Sequence, residues 1–246
     1  MFAARAGLRR PARSEAERPF WISYADLMSA LMVMFLLAMS VALLAVTKNV
    51  TDAERRKVER DARIADLMRR VEAVAARYPG ITVDPERRII DFGERARFEK
   101  NRHTLTVEQA RTLRAFVPEI LAIARDEPEP GWLARIVVEG FASPEGDYLY
   151  NLNLSMQRSQ RVLCVLLARP LPDERPMTQR ELDQVRDLFL VGGFSFNAPI
   201  FDPKLSSFEA SRRVELRLEF RGIDERRAAP ATAGVPAEPG KCPLDG

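Results

Sequence analysis

One acidic residue, Asp26, stands inside an unbroken apolar run from Phe20 to Val46, FWISYADLMSALMVMFLLAMSVALLAV. A carboxylate at membrane depth costs about 2.5–3.5 kcal/mol even on lenient insertion scales, so it usually faces protein or water and carries a function. Asp26 lies near the start of the run, and the bland alternative is a side chain reaching back to the headgroups. The functional chemistry would be charge cycling, in which protonation neutralises the carboxylate and lets an ion cross the apolar barrier. A second group is Tyr150, Asn151, Leu154 and Arg158. On a helix, Tyr150, Leu154 and Arg158 recur every four residues and share one face, with Asn151 beside them. A guanidinium there can hold a carboxylate through two parallel hydrogen bonds. The bland readings are a surface ion pair for Arg158 and core packing for Leu154. Tyr150, Asn151 and Arg158 are expected to face solvent.

Other chemistry is scarce. Two cysteines, Cys164 and Cys242, and a single histidine, His103, argue against a zinc site and against Ser/His or Cys/His catalysis; carboxylate chemistry is the one enzymatic route left, and no enzyme and no metal are expected. The formal net charge of +3 over 246 residues, with Arg and Glu interspersed, gives no basis for direct contact with nucleic acid.

The apolar run must position Asp26. As a helix it reaches about 40 Å, enough to cross a hydrocarbon core of about 30 Å with some tilt. Trp21 and Tyr24 sit at one interface and Lys48 closes the other end. Arg5, Arg9, Arg10, Arg13 and Arg18 precede it, which places the N-terminus in the cytoplasm and the remainder outside the inner membrane. A cleaved signal peptide fits less well, because its apolar stretch would be shorter and Ala38-Met39-Ser40 lies mid-run. The outer compartment is oxidising. Cys164 shares a helix stripe with Gln157, Gln160 and Arg161, within reach of Cys242 on the tail, so an intrachain Cys164–Cys242 disulfide is expected, with an intersubunit bond as the alternative.

The elements that position Arg158 come later. Ile64, Met68, Val71, Ala75 and Tyr78 recur at spacings of three and four, a seam that either pairs two copies or packs on the chain's own C-terminal domain. Pro79-Gly80 ends that helix. Beyond it, Ile81–Asp91 reads as extended structure with a turn at Asp84-Pro85, Thr106–Arg125 as a helix, Leu133–Phe141 as a strand, Asn151–Ala168 as a helix and Arg212–Phe220 as a strand. Strands separated by helices imply a sheet with βαβ character and helices on one face. Residues 170–180 read as an insertion, and after Arg221 a Pro/Ala/Gly-rich tail has no expected regular structure beyond what a disulfide imposes.

Two resemblances follow. The aromatic and small-residue lead into Tyr24-Ala25-Asp26-Leu27-Met28 resembles the transmembrane helix of the MotB family of stator subunits, which assigns ion translocation to Asp26. Tyr150-Asn151-Leu152-Asn153-Leu154-Ser155, Arg158, and Ser211-Arg212-Arg213-Val214-Glu215-Leu216 resemble the OmpA-like peptidoglycan-binding domain over most of 85–220. That family places an aspartate after the first of these strands, where this chain has Ser143. Either Glu145 or Asp147 substitutes, or wall binding is altered. The resemblance implies a peptidoglycan site of Ser143, Tyr150, Asn151, Leu154 and Arg158.

The expected organisation is an α+β protein: a cytoplasmic N-terminus (1–19), one transmembrane helix (20–47), a connector helix (48–80), an OmpA-like periplasmic α/β sandwich with helices on a mixed sheet (81–221), and a tail (222–246). The resemblance implies a dimer of this chain within five copies of a MotA-like or ZorA-like multi-span partner. It also implies anchorage to peptidoglycan, no cofactor, and a transported ion, for which Tyr24 beside Asp26 points to H+. Within this group the short connector, the altered acidic loop and the extended tail resemble the wall-anchored subunits of Zorya anti-phage systems. A flagellar stator subunit and a passive wall tether are the alternatives. Subunits that energise outer-membrane transporters fit less well, because they lack an OmpA-like domain.

Overall fold

The computed structural model describes residues 18–126, 132–203, 206–222 and 242–245. The arginines expected to set orientation, Arg5 to Arg13, and most of the tail lie outside the described residues. Two compact units divide the chain, Met1–Lys57 and Val58–Gly246.

The first unit carries the start of helix α1, which runs Arg18–Ala75 without a break through both the apolar run and the connector. Among the described residues this is one helix long and apolar enough to cross a membrane. Its large side chains from Trp21 to Val50 are exposed on every side, and none of the described residues of this unit covers them. The hydroxyls in the run turn inward to the helix itself. Ser29 Oγ donates to the Ala25 carbonyl at 2.8 Å, Ser40 Oγ to Leu36 at 2.7 Å and Thr47 Oγ1 to Leu43 at 2.8 Å. Each polar group thus has a partner that hydrocarbon would not supply.

In the second unit a five-stranded mixed sheet has the order β1-β2-β5-β3-β4. Its strands are β1 (Thr82–Asp84), β2 (Ile89–Asp91), β3 (Leu133–Gly140), β4 (Phe189–Gly193) and β5 (Val214–Phe220). All pairings are antiparallel except β3 with β4, which are parallel and joined by helices α3 (Tyr148–Leu167) and α4 (Gln179–Leu188). Helix α2 (Val107–Arg125) begins at Thr106, whose side chain and that of Gln109 reciprocally satisfy each other's backbone N–H groups. Alternation sends Ile136 and Val138 of β3 and Val214, Leu216 and Leu218 of β5 into one core, against Leu113, Phe116, Val117 and Ile120 of α2.

The connector seam belongs to this core. Ile64, Leu67, Met68, Val71, Val74 and Ala75 are all buried in it, and the Tyr78 ring meets Phe116 edge-on at 5.3 Å. The stripe that periodicity offered for pairing with a second copy is therefore covered by the chain's own domain. The sequence pattern predicts no strand where β4 lies. It follows α4 directly, since the helix ends at Leu188 and the strand begins at Phe189. The insertion at 170–180 is tied to α2 and α4 by ion pairs, Arg111 to Asp173 at 2.7 Å, Arg114 to Glu174 at 2.7 Å and Arg175 to Glu181 at 3.0 Å.

Helix α3 lies unusually close to the sheet. Gly140 and Gly193 are register partners on β3 and β4. A Cβ on Gly140 would stand 2.0 Å from the Ser155 carbonyl oxygen, and one on Gly193 would stand 2.7 Å from the Met156 nitrogen. Two bare backbones side by side let the helix that carries Tyr150, Asn151, Leu154 and Arg158 rest directly on the strand ends.

Candidate functional site

Asp26 sits on α1 one turn beyond Trp21 and Ile22, with Tyr24 and Leu27 as neighbours in the exposed apolar stretch. It is the one acidic position between Trp21 and Thr47, and Lys48 is the next charged residue.

The second site is assembled at the N-terminal half of α3. Asp147 is the N-cap, its Oδ1 accepting the Tyr150 N–H at 2.8 Å, so the helix starts at Tyr148, ahead of the Asn151 expected from sequence. Asn151 is buried and its Nδ2 donates to the carbonyls of Glu145 at 2.9 Å and Asp147 at 3.1 Å. It thereby latches the loop 143–147, where Gly146 takes the left-handed conformation at φ 93°. Ser143 is buried on that loop. Leu154 joins the buried set, and Tyr150 stays 46% exposed.

Arg158 departs most from expectation. It is 0% exposed. Its Nη1 donates to the Phe141 carbonyl at 2.8 Å, its Nε to Arg102 at 3.0 Å and its Nη2 to Glu99 at 3.1 Å, while the guanidinium lies 5.1 Å from the Phe98 ring centroid. Burial, with Arg212 nearby, lowers its pKa to about 10, leaving it charged at neutral pH. The expectation that Asn151 and Arg158 face solvent is thus corrected. Facing a helix stripe toward one side does not decide whether another segment covers it, and here the segment 97–103 does.

The two acids of the loop, Glu145 and Asp147, have different partners. Asp147 is committed to capping α3. Glu145 is half-exposed and pairs with Lys100 Nζ at 2.9 Å, and the Lys100 hydrogen bond holds its carboxyl below the usual glutamate range. Lys100 was not singled out by sequence. Arg212, singled out only as part of the last-strand motif, donates from Nε to the Phe98 carbonyl at 3.1 Å and pairs with Glu209 at 2.8 Å. Both lie far from α3 in sequence, and only their return to its N-terminal end reveals them. The site therefore presents Tyr150, Glu145, Lys100 and Arg102 outward, over a buried frame of Ser143, Asn151, Leu154 and Arg158.

Cys164 of α3 is disulfide-bonded to Cys242, with Cα atoms 5.2 Å apart. Among the described residues no group of three or more His, Cys, Asp or Glu side chains could hold a metal ion.

The chain thus joins one apolar helix, long enough to cross a membrane and carrying a single internal acid, to a mixed sheet backed by helices whose α3 bears Tyr150, Asn151, Leu154 and Arg158. No family model matches the chain. A curated relative, the Zorya protein ZorB of Escherichia coli, is 42% identical over 228 residues, spanning 92% of this chain and 91% of the relative. The chain belongs to the ZorB family. Among solved structures, a putative MotB-like protein from Desulfovibrio vulgaris aligns at TM-score 0.44 and 18% identity, covering 69% of this chain and 99% of the other. The cell wall anchor of the T6SS from Pseudomonas aeruginosa aligns at TM-score 0.39 and 17% identity, covering 63% and 97%.

Proposed function

We propose that this chain is the peptidoglycan-anchored, ion-conducting subunit of a proton-driven inner-membrane rotary motor that serves anti-phage defence. The observation that carries the reading is Asp26, a lone acid inside an otherwise apolar and fully exposed stretch of helix in a member of the ZorB family. One helix encloses no path for an ion, so the path requires other chains, here a second copy and a ring of five ZorA-like multi-span partners. The N-terminus is cytoplasmic and the sheet domain periplasmic. There Ser143, Tyr150, Asn151, Leu154 and Arg158, with Glu145 supplying the loop carboxylate, form the wall site. Holding the wall keeps this subunit still while protons passing Asp26 turn the partner around it. The membrane potential supplies about 2.3 kcal/mol per charge per 100 mV for that work. Membership of the ZorB family favours defence over a flagellar role.

Asp26→Asn keeps the size and hydrogen-bonding capacity of the side chain but cannot cycle its charge. At matched membrane levels it is expected to assemble with its partner and to abolish phage protection, while Asp26→Glu retains a little. Full protection by the Asn variant would make Asp26 a snorkelling anchor and the protein a passive tether.

A further inference from the structure

Behind the proposed wall residues, the far end of the chain returns to α3. The Cys164–Cys242 disulfide bridges a sequence separation of 78, and the residues after Cys242 form a single 3-10 turn, Pro243–Asp245. That turn meets Arg161, which lies three residues beyond Arg158 on α3. Arg161 Nη1 pairs with Asp245 Oδ1 at 2.7 Å, and Nη2 donates to the Leu244 carbonyl at 3.4 Å. The turn shares one cleft with Leu105 and Thr106, just past the loop 99–103, and with Arg161 and Cys164 of α3, and Leu244 and Asp245 stand near enough to His103 to act on its imidazole. His103 follows Arg102, whose carbonyl accepts from Arg158, and Lys100 of the same loop pairs with Glu145. The loop 99–103 is therefore held from within by Arg158 and flanked on its far side by the Cys242–Asp245 turn, itself tied to α3.

We propose that Cys242–Asp245 is a positioning element of the wall site: it holds the loop 99–103 against α3, so that wall binding depends on the Cys164–Cys242 disulfide. This rests on the reading of the Tyr150–Arg158 surface as the peptidoglycan site. The Asp245 carboxylate is 63% exposed, and an ion pair that open to water is too weak to retain a chain segment alone. The covalent bond supplies the high effective concentration that keeps the turn docked. Because disulfides persist only in oxidising compartments, the loop is gripped once the domain has been exported and not before.

The test uses the full chain in detergent, purified without reductant. Co-sedimentation with purified sacculi and hydrogen exchange over 97–105 are measured before reduction, after reduction and after reoxidation. Reduction is expected to lower sacculus affinity about tenfold by removing preorganisation, to speed exchange at 99–103, and to leave β3 and β5 protected, with reoxidation restoring both. The Cys164→Ser/Cys242→Ser double variant should behave as the reduced form throughout, and Asp245→Ala should fall between. Unchanged affinity on reduction, or faster exchange confined to 242–245, overturns the positioning role and leaves the peptidoglycan reading standing. Loss of protection across the whole sheet overturns it in favour of a purely structural staple. If the oxidised wild type fails to bind sacculi while 99–103 still loosens on reduction, the peptidoglycan reading itself has failed, and the proposal falls with it.

Discussion

Replacing Arg158 by alanine separates a structural guanidinium from a ligand-facing one. The substitution removes three charge-assisted hydrogen bonds to main-chain carbonyls and one stacked contact with Phe98. The Glu99 and Arg102 carbonyls lie in partly exposed surroundings and can recover water. The Phe141 carbonyl is enclosed, and leaving it unpaired costs about 1–3 kcal/mol. Loss of the cation–π contact adds about 0.5–2 kcal/mol. Together with loosening of the covering loop, a destabilisation of about 3–5 kcal/mol is expected, against about 5–15 kcal/mol for a whole domain. For a unit of this size that corresponds to a fall in Tm of about 6–20 °C. Near-ultraviolet circular dichroism of the full chain in detergent reads this, because it follows the packed side chains and not the helical content of α1. Arg158→Lys should lose much of the same stability, since one ammonium cannot span three carbonyls. Tyr150→Ala, at an exposed position, should leave Tm unchanged while weakening binding to sacculi. An Arg158→Ala protein melting within about 2 °C of wild type would refute the reasoning and return Arg158 to the ligand-facing role.

Two further expectations follow from the same region. Gly140→Ala should destabilise the domain strongly, because its Cβ would be forced within 2.0 Å of the Ser155 carbonyl oxygen and α3 would have to lift from the sheet; a wild-type Tm would contradict this close approach. The Glu145 carboxyl is held low chiefly by the Lys100 hydrogen bond, so the pair's contribution is present above the ordinary glutamate value and is lost only as pH falls through the depressed one. Carboxyl-carbon NMR should show Glu145 titrating below the other exposed glutamates, and Lys100→Ala should bring it back up. Titration unaffected by Lys100→Ala would mean that the loops 99–103 and 143–147 are not joined by this pair.

What the sequence determined by itself is what neighbouring residues decide among themselves. An apolar run long enough to span a membrane is a property of consecutive residues, and so is the helix that begins at the Thr106 cap and the alternation that makes Leu133–Gly140 and Val214–Phe220 strands. The likeness to wall-binding domains rested equally on contiguous residues, the Tyr150–Arg158 helix start and the Arg212–Leu216 strand. The tertiary structure decided everything that depends on what comes to lie opposite. The seam from Ile64 to Ala75 is equally apolar whether a second copy or the chain's own core covers it, and only the folded domain places it against Phe116 and its neighbours. Strand β4 is short, and its pairing partner β3 lies about fifty residues earlier in the chain, so no local pattern announces it. Arg158 sits on a helix face that its own spacing leaves open, and it is buried because the segment 97–103 folds over it and offers carbonyls in place of water. A guanidinium exchanges hydration for whichever oxygens the fold brings to it, and those oxygens come from residues 17 to 59 positions away in sequence.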